Sequence, residues 1–354
     1  MNRAPNQRFR FEQYMAYLEE NGFVCIMSPL IATPAEDKTF YMQGNYAKKV
    51  LLGLKLALRR INDVIRANEF DIIVIAREAF ITGSTFFERA LSRRKAKVIF
   101  DFDDSIWLNV ISDNNRLFSS LKDGSKTGRI IQLSDTVFAG SEFLANYAKK
   151  FNNNVVIIPT TIDTEVYQPA YNSGKKTVII GWSGSATTIE HFQFAIPALR
   201  ILKEKYKDLI SIKIIGDGTF YEPSLNTRGI PWKSETELED LREIDIGIMP
   251  LPDNEWTWGK CGLKGLQYMA LEIPTIMSPV GVNLKIIEDG VNGYLANTTQ
   301  EWVDKISALI EQPNLRIRIG KEGRKTVVKK YSVKSMREVY LRHLEKVLSI
   351  KSSQ

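Results

Sequence analysis

The sequence predicts an α/β protein built from two doubly wound units, and three observations carry that prediction. Apolar runs of five or six residues alternate with amphipathic stretches along the chain. The runs are nearly continuous rather than alternating, as in strands buried on both faces of a parallel sheet. The alternation breaks once, into a polar, turn-rich stretch at 168–176, and then restarts. A length of 354 residues with 44% hydrophobic content suffices for two cores.

In order, the first half predicts helices over 6–21, 43–68, 84–94, 115–133 and 141–151, the last with Ser141 as N-cap. Strands are expected at 23–27, 71–76, 97–100, 136–139 and 155–159. After the break, strands are expected at 177–182, 211–216, near Ile230, at 245–250 and at 274–277. Helices fill 188–206, 235–243, 261–271, 283–288, 299–311, 314–330 and 333–349. The reading places a first domain at 1–170, completed by 333–354, and a second at 171–332. Loops at the carboxyl ends of the two sheets are expected to face a shared cleft.

Composition narrows the function. Two cysteines, Cys25 and Cys261, and two histidines, His191 and His343, argue against a disulfide framework or a structural zinc site. Both histidines read as ordinary helix positions. No apolar run reaches the ~18 residues needed to span a bilayer, and the N-terminus lacks the apolar core of a signal peptide. The expectation is a cytoplasmic protein, peripheral at most at the inner face of the membrane. The net charge of +7 suits nucleotides, phosphorylated substrates or an anionic surface, but no nucleic-acid-binding module is present.

The helix expected at 43–68 carries Leu51, Leu54, Leu58, Ile61 and Ile65 on one face. Lys48, Lys49, Lys55, Arg59, Arg60 and Arg66 occupy the remainder, against a lone Asp63. Such a helix faces the core with a solvated basic side, or lies on anionic lipid; the first is the expectation.

Three segments carry the chemistry. The turn Gly181-Trp182-Ser183-Gly184-Ser185-Ala186-Thr187-Thr188 follows a buried strand and opens a helix, so its amides suit an anion, or it is a plain tight turn. Its spacing is not that of the dinucleotide fingerprint. Ile215-Gly216-Asp217-Gly218 is a second glycine turn after a strand. In the run from Pro250 to Gly293, Lys260, Lys264 and Gln267 fall near one face at the start of a helix. Two cations beside a glycine can hold a diphosphate; a solvated helix face is the alternative.

The Pro250–Gly293 run resembles the nucleotide-sugar site of family 4 glycosyltransferases of the group 1 type. The likeness rests on Gly262-Leu263, Leu266-Gln267-Tyr268-Met269-Ala270, Pro274-Thr275-Ile276, Ser278, Gly281, Gly290 and Asn292-Gly293. Ile215-Gly216-Asp217-Gly218, the segment 162–169 and Tyr331-Ser332 resemble further elements of that family. A bacterial branch carrying GKCGxKxLQYMA, REAF and DFDDxIW is the most similar.

The resemblance implies the GT-B fold, with the last helix crossing back onto the first domain. It also implies a retaining, metal-independent transfer of sugar from a nucleoside diphosphate sugar to a hydroxyl acceptor, lipid-linked acceptors included. No cofactor is expected beyond that co-substrate. Cell-surface polysaccharide assembly is the family's common setting. The rivals are a nucleotide-sugar epimerase on the same fold and a catalytically degenerate partner subunit.

Two departures bear on the site. The family's paired glutamates fall at Gly259 and Gln267, where glutamine keeps hydrogen bonding to ribose without the charge. The family also begins with a strand and a glycine loop, whereas this chain starts almost inside the first helix, at 6–10, so that strand is expected to be absent.

The resulting candidates are Asp103, Asp104, Lys260 and Lys264 for catalysis. Arg8, Glu78, Ser183, Gly184, Ser185, Gly216, Gly218, Trp232, Gly262, Leu263 and Gln267 are the candidates for substrate binding, Trp232 as a flank for the base. Asp101-Phe102-Asp103 also matches the metal motif of the other large glycosyltransferase fold. Caps of the loop, a metal pair and an active-site role for Asp103 or Asp104 stay open; no metal is the expectation.

Overall fold

The computed structural model describes residues 5–42, 44–108, 123–170, 177–185 and 187–349. The chain forms two units, one of Met15–Ile158 with Val339–Gln354, the other of Met1–Tyr14 with Pro159–Glu338.

The first of these is built on a four-stranded parallel sheet, β1 (Ile72–Ala76), β2 (Lys97–Phe102), β3 (Thr136–Ala139) and β4 (Val155–Ile157), in that spatial order. Register pairs Ile75 with Phe100 and Phe100 with Val137. Val98, Ile99, Phe100, Phe102, Val137 and Phe138 are buried, which is why these runs contain no alternating polar residues. Ser141 caps the helix Glu142–Ala148 by accepting the Leu144 N–H at 3.4 Å. The final helix, Val333–Ser349, ends on this sheet, with the Tyr340 and His343 rings edge-on to Phe138.

The second unit holds seven strands: β5 (Val178–Ser183), β6 (Ile210–Gly216), β7 (Tyr221–Glu222), β8 (Thr227–Pro231), β9 (Ile246–Met249), β10 (Thr275–Met277) and β11 (Tyr294–Leu295). Their order is β11-β10-β9-β5-β6-β8-β7, and every neighbouring pair is parallel except β7 with β8. Successive residues feed different cores. Ile248 and Ile276 join the cluster under the helices Ile196–Tyr206 and Thr299–Glu311, while Met249 and Met277 join the cluster of Leu266, Tyr268 and Met269. The chain runs outward from β5 through β6 to β8, then returns to place β9 on the other side of β5. The topological switch point therefore lies between β5 and β9.

Four expectations are corrected. No ladder forms at 23–27, and Val24 and Ile26 are exposed, because the segment has no strand neighbour among the described residues. The boundary lies at 158/159 rather than 170/171. Tyr167 is buried in the second unit's core, and Arg324 donates to the carbonyls of Tyr167 at 2.7 Å and Thr164 at 3.2 Å. The first fourteen residues also belong to the second unit, since Phe9 packs into that core and Gln13 and Tyr14 each bond Thr161 at 2.6 Å. Finally, Leu51, Leu54, Leu58, Ile61 and Ile65 do not face the core; within Tyr46–Arg66 the buried residues are Leu52 and Leu56. The first part of the helix expected at 115–133 lies outside the described residues, which show Ser125–Leu133.

The helix Pro34–Tyr41 was not anticipated, although its signal was legible. Thr33 and Glu36 form a reciprocal capping box with proline behind the cap.

Candidate active site

Parallel strands bring the turns after β5, β6 and β9 to one edge of the seven-stranded sheet. Gly184 and Gly216, at the ends of neighbouring strands, are pressed together. A Cβ on Gly216 would stand 2.3 Å from the Gly184 carbonyl oxygen, and its φ of +142° is one that side chains rarely adopt. Gly218 follows in the same turn, against Pro231.

Three amides of the first turn, read as an anion site or a plain tight turn, have partners within the protein. The Ser183 N–H donates to the Tyr268 hydroxyl at 2.6 Å, Gly184 N–H to the Ile215 carbonyl at 2.8 Å, and Ser185 N–H to Thr188 Oγ1 at 3.0 Å. Burial of Ser183 beside β6 demands such partners. Two of these bonds tie the turn to neighbouring elements, and the third closes it locally.

The anion-binding features gather instead after β9. The helix Leu263–Ala270 begins at Gly262, whose φ of +73° and contact with the Ile286 side chain both require glycine. The first-turn amides of this helix, from Leu263 on, have no intrahelical acceptor, and its dipole favours negative charge. Lys264 Nζ lies 3.3 Å from Thr188 Oγ1 and 4.8 Å from the centre of the Trp182 ring, so it reaches across the switch point to the β5 turn. Lys260 Nζ lies 4.5 Å from the centre of the Trp256 ring.

Sequence reasoning missed His191. It is buried, and among the described residues its Nδ1 has no hydrogen-bond partner. Burial first, then the charges of Lys264 and Lys260, lower its pKa to about 4. A depressed histidine stays neutral in the folded protein, while the unfolded chain takes up the proton below about pH 6.5. Stability should therefore fall as pH drops from 6.5 towards 4. A contribution of about 1–2 kcal/mol, allowing for solvent screening, should vanish in His191→Gln when thermal unfolding is compared across that interval.

Gln267, the candidate ribose contact, is bound into a network of the second unit. It is buried, and its Nε2 donates to the Tyr167 hydroxyl at 3.0 Å and Glu237 Oε1 at 3.2 Å. Trp232 Nε1 donates to the same oxygen at 3.1 Å, so its N–H points into the protein. Tyr167 donates to Glu237 Oε2 at 2.9 Å, and Arg8 bonds Tyr167 and pairs with Glu237. Burial and the Glu237 charge push the Tyr167 hydroxyl far up. Arg8 sits in a π-helical turn, Arg8–Glu12, and serves the second unit rather than the first. The carboxylate of Glu237, buried in a protein interior, requires the donors that Arg8, Tyr167, Trp232 and Gln267 supply.

In the four-stranded unit, Arg77 follows β1 with a left-handed φ of +63°. Its Nε and Nη2 donate to Asp103 Oδ1 at 2.9 and 2.7 Å, and Nη2 lies 3.8 Å from Asp104 Oδ2. Asp104 Oδ1 accepts the Ser105 N–H at 3.0 Å. Asp103 and Asp104 thus bind the strand-end loops together. Glu78 accepts from Lys126 Nζ at 2.9 Å, and that buried amine also holds the Phe80 and Thr82 carbonyls at 2.5 and 2.7 Å. Among the described residues, no three His, Cys, Asp or Glu side chains are grouped to hold a metal.

Two Rossmann-like units of this pattern define the GT-B class of glycosyltransferase fold. Residues 177–312 match the family Glycosyl transferases group 1. An uncharacterized glycosyltransferase of Methanocaldococcus jannaschii is 26% identical over 222 residues, covering 58% of this chain and 59% of that protein. The chain thus spans about three fifths of that curated relative. A glycosyltransferase from Rickettsia africae superposes with TM-score 0.65 at 15% identity, covering 96% of this chain and 94% of its own. HepE of Anabaena, solved with UDP and glucose, gives 0.62 at 14% identity, covering 82% of each chain. Sucrose-phosphate synthase from Thermosynechococcus elongatus gives 0.63 at 12%, covering 83% of this chain and 79% of its own.

Proposed function

We propose that the chain transfers a sugar from a nucleoside diphosphate sugar to a hydroxyl acceptor, with retention of configuration and without a metal. One observation carries the donor assignment: Lys264 spans the switch point between β5 and β9 at the head of a helix, with Lys260 three residues before that helix. A leaving diphosphate gains negative charge as the glycosidic bond breaks, and cations fixed beside open helix amides stabilise that charge without reorganising. The binding of UDP by Anabaena HepE, of the same fold, supports a nucleotide donor. Surface polysaccharide or lipid-linked glycan assembly is the setting we assign to the acceptor, following the family resemblance.

The test is a thermal-shift panel of nucleoside diphosphate sugars, followed by turnover in EDTA with and without hydroxyl acceptors. The true donor at a hundred times its Kd should add about 2.7 kcal/mol of apparent stability. Diphosphate release should require an acceptor and survive EDTA. No stabilisation by any donor, or activity restored to an EDTA-treated sample only by manganese, would overturn the corresponding part of the proposal.

A further inference from the structure

The helix Tyr46–Arg66 exposes most of its apolar residues. Val50, Leu51, Leu54, Leu58, Ile61 and Ile65 are between 43% and 67% exposed. At helical spacing these six fall within an arc of roughly 100°, a continuous stripe along a helix of about 30 Å. The segment leading to Ser28, which bonds Asp63 and Arg60, exposes Val24 at 86% and Ile26 at 58% as well. Surface leucines scattered singly are ordinary, but a contiguous stripe of this kind marks an interaction site.

The flank of the stripe selects the partner. Lys48, Lys55, Arg59 and Arg66 follow one another along one edge of it, and the helix as a whole carries six Lys and Arg against Asp63. Asp63 pairs with Arg60 on another face, at 2.5 Å. Lys55 and Arg59 hold Glu36 and Arg66 pairs with Glu69, but Lys55 and Arg66 are exposed, and such pairs are weak enough to exchange for another anion. No helix among the described residues is long and apolar enough to cross a membrane, so this one would lie on a surface.

We propose that the helix Tyr46–Arg66 docks the protein on an anionic lipid surface, with the stripe buried among the acyl chains and its cationic edge on the headgroups. A second copy of the stripe would offer apolar surface but no anions for that edge. Lipid satisfies both.

The experiment is co-sedimentation of the full chain with phosphatidylcholine vesicles, with and without phosphatidylglycerol, at low and high salt. Binding should require phosphatidylglycerol and fall with salt. Leu54→Ser with Leu58→Ser should lower the partition at least about tenfold. Lys48→Glu should lower it roughly fivefold or more on anionic vesicles alone. These positions are exposed, so circular dichroism and Tm should match the parent, and the lysine variant tests the proposal independently of the leucines. Absence of binding at low salt overturns it, as does binding indifferent to phosphatidylglycerol or to both variants. So does a dimer, seen by sedimentation equilibrium, that the double serine variant dissolves in place of vesicle binding. The readout is sedimentation rather than turnover, so it stands apart from the donor assignment.

Discussion

Lys264→Ala should lower turnover with the true donor by 10² to 10³, the largest effect expected of a single charge deletion in this chain. A charged contact made at the transition state in a dry site contributes roughly 2–4 kcal/mol. Lys264 is held by Thr188 and the Trp182 ring, so its amine is fixed where the β5 turn meets the helix head. Loss of the ring contact should cost only about 1 kcal/mol of stability, keeping the fold intact. Lys260→Ala should act in the same direction. The kinetic signature is a fall in kcat and kcat/KM together, since a growing leaving-group charge is met only in the transition state. Both variants at full turnover would show that the lysines form a solvated face.

The second large effect is expected at Gln267. A glutamate at this position, Gln267→Glu, should destabilise the protein by about 3 kcal/mol at neutral pH. The new carboxylate would face Glu237 Oε1, to which Gln267 Nε2 now donates at 3.2 Å, and two carboxylates at that distance cannot both stay ionised without cost. Lowering the pH should relieve the variant, because one proton shared by the pair removes the repulsion. The companion variant Gln267→Glu/Glu237→Gln removes the repulsion and should recover part of the loss, the remainder reflecting the Trp232 N–H and Arg8, which lose the Glu237 carboxylate. Denaturant midpoints for the three proteins decide it. If Gln267→Glu unfolds at the parent's midpoint, the network does not set the identity of residue 267.

This network explains a departure that looked like degeneration in the sequence. At Gln267 a family comparison reads a lost carboxylate. The structure finds one nearby at Glu237, from a helix thirty residues upstream, already surrounded by Arg8, Tyr167, Trp232 and Gln267. A donor is what that surrounding needs. Nothing in the spacing of residues 8, 167, 232, 237 and 267 announces this, because their meeting depends on how the N-terminal turn and the 162–169 segment fold onto the second unit.

The apolar helix makes the converse point. Its amphipathic period was legible, and both a core-facing and a lipid-facing reading followed from it. Periodicity fixes which residues share a face; it does not say what that face meets. Only the packing shows Leu52 and Leu56 inward and Leu54 and Leu58 outward.

The sequence by itself determined the two α/β units, the positions of most strands and the glycine turns. These follow from local rules, since β-branched runs, caps and turn residues act over a few positions. Tertiary structure alone decided that the β5 turn closes on its own hydroxyls, that Asp103 and Asp104 meet Arg77, and that the first fourteen residues join the second unit. The physical reason is the same in each case. A buried polar group must find a partner, and which partner it finds is set by long-range packing that no local pattern encodes.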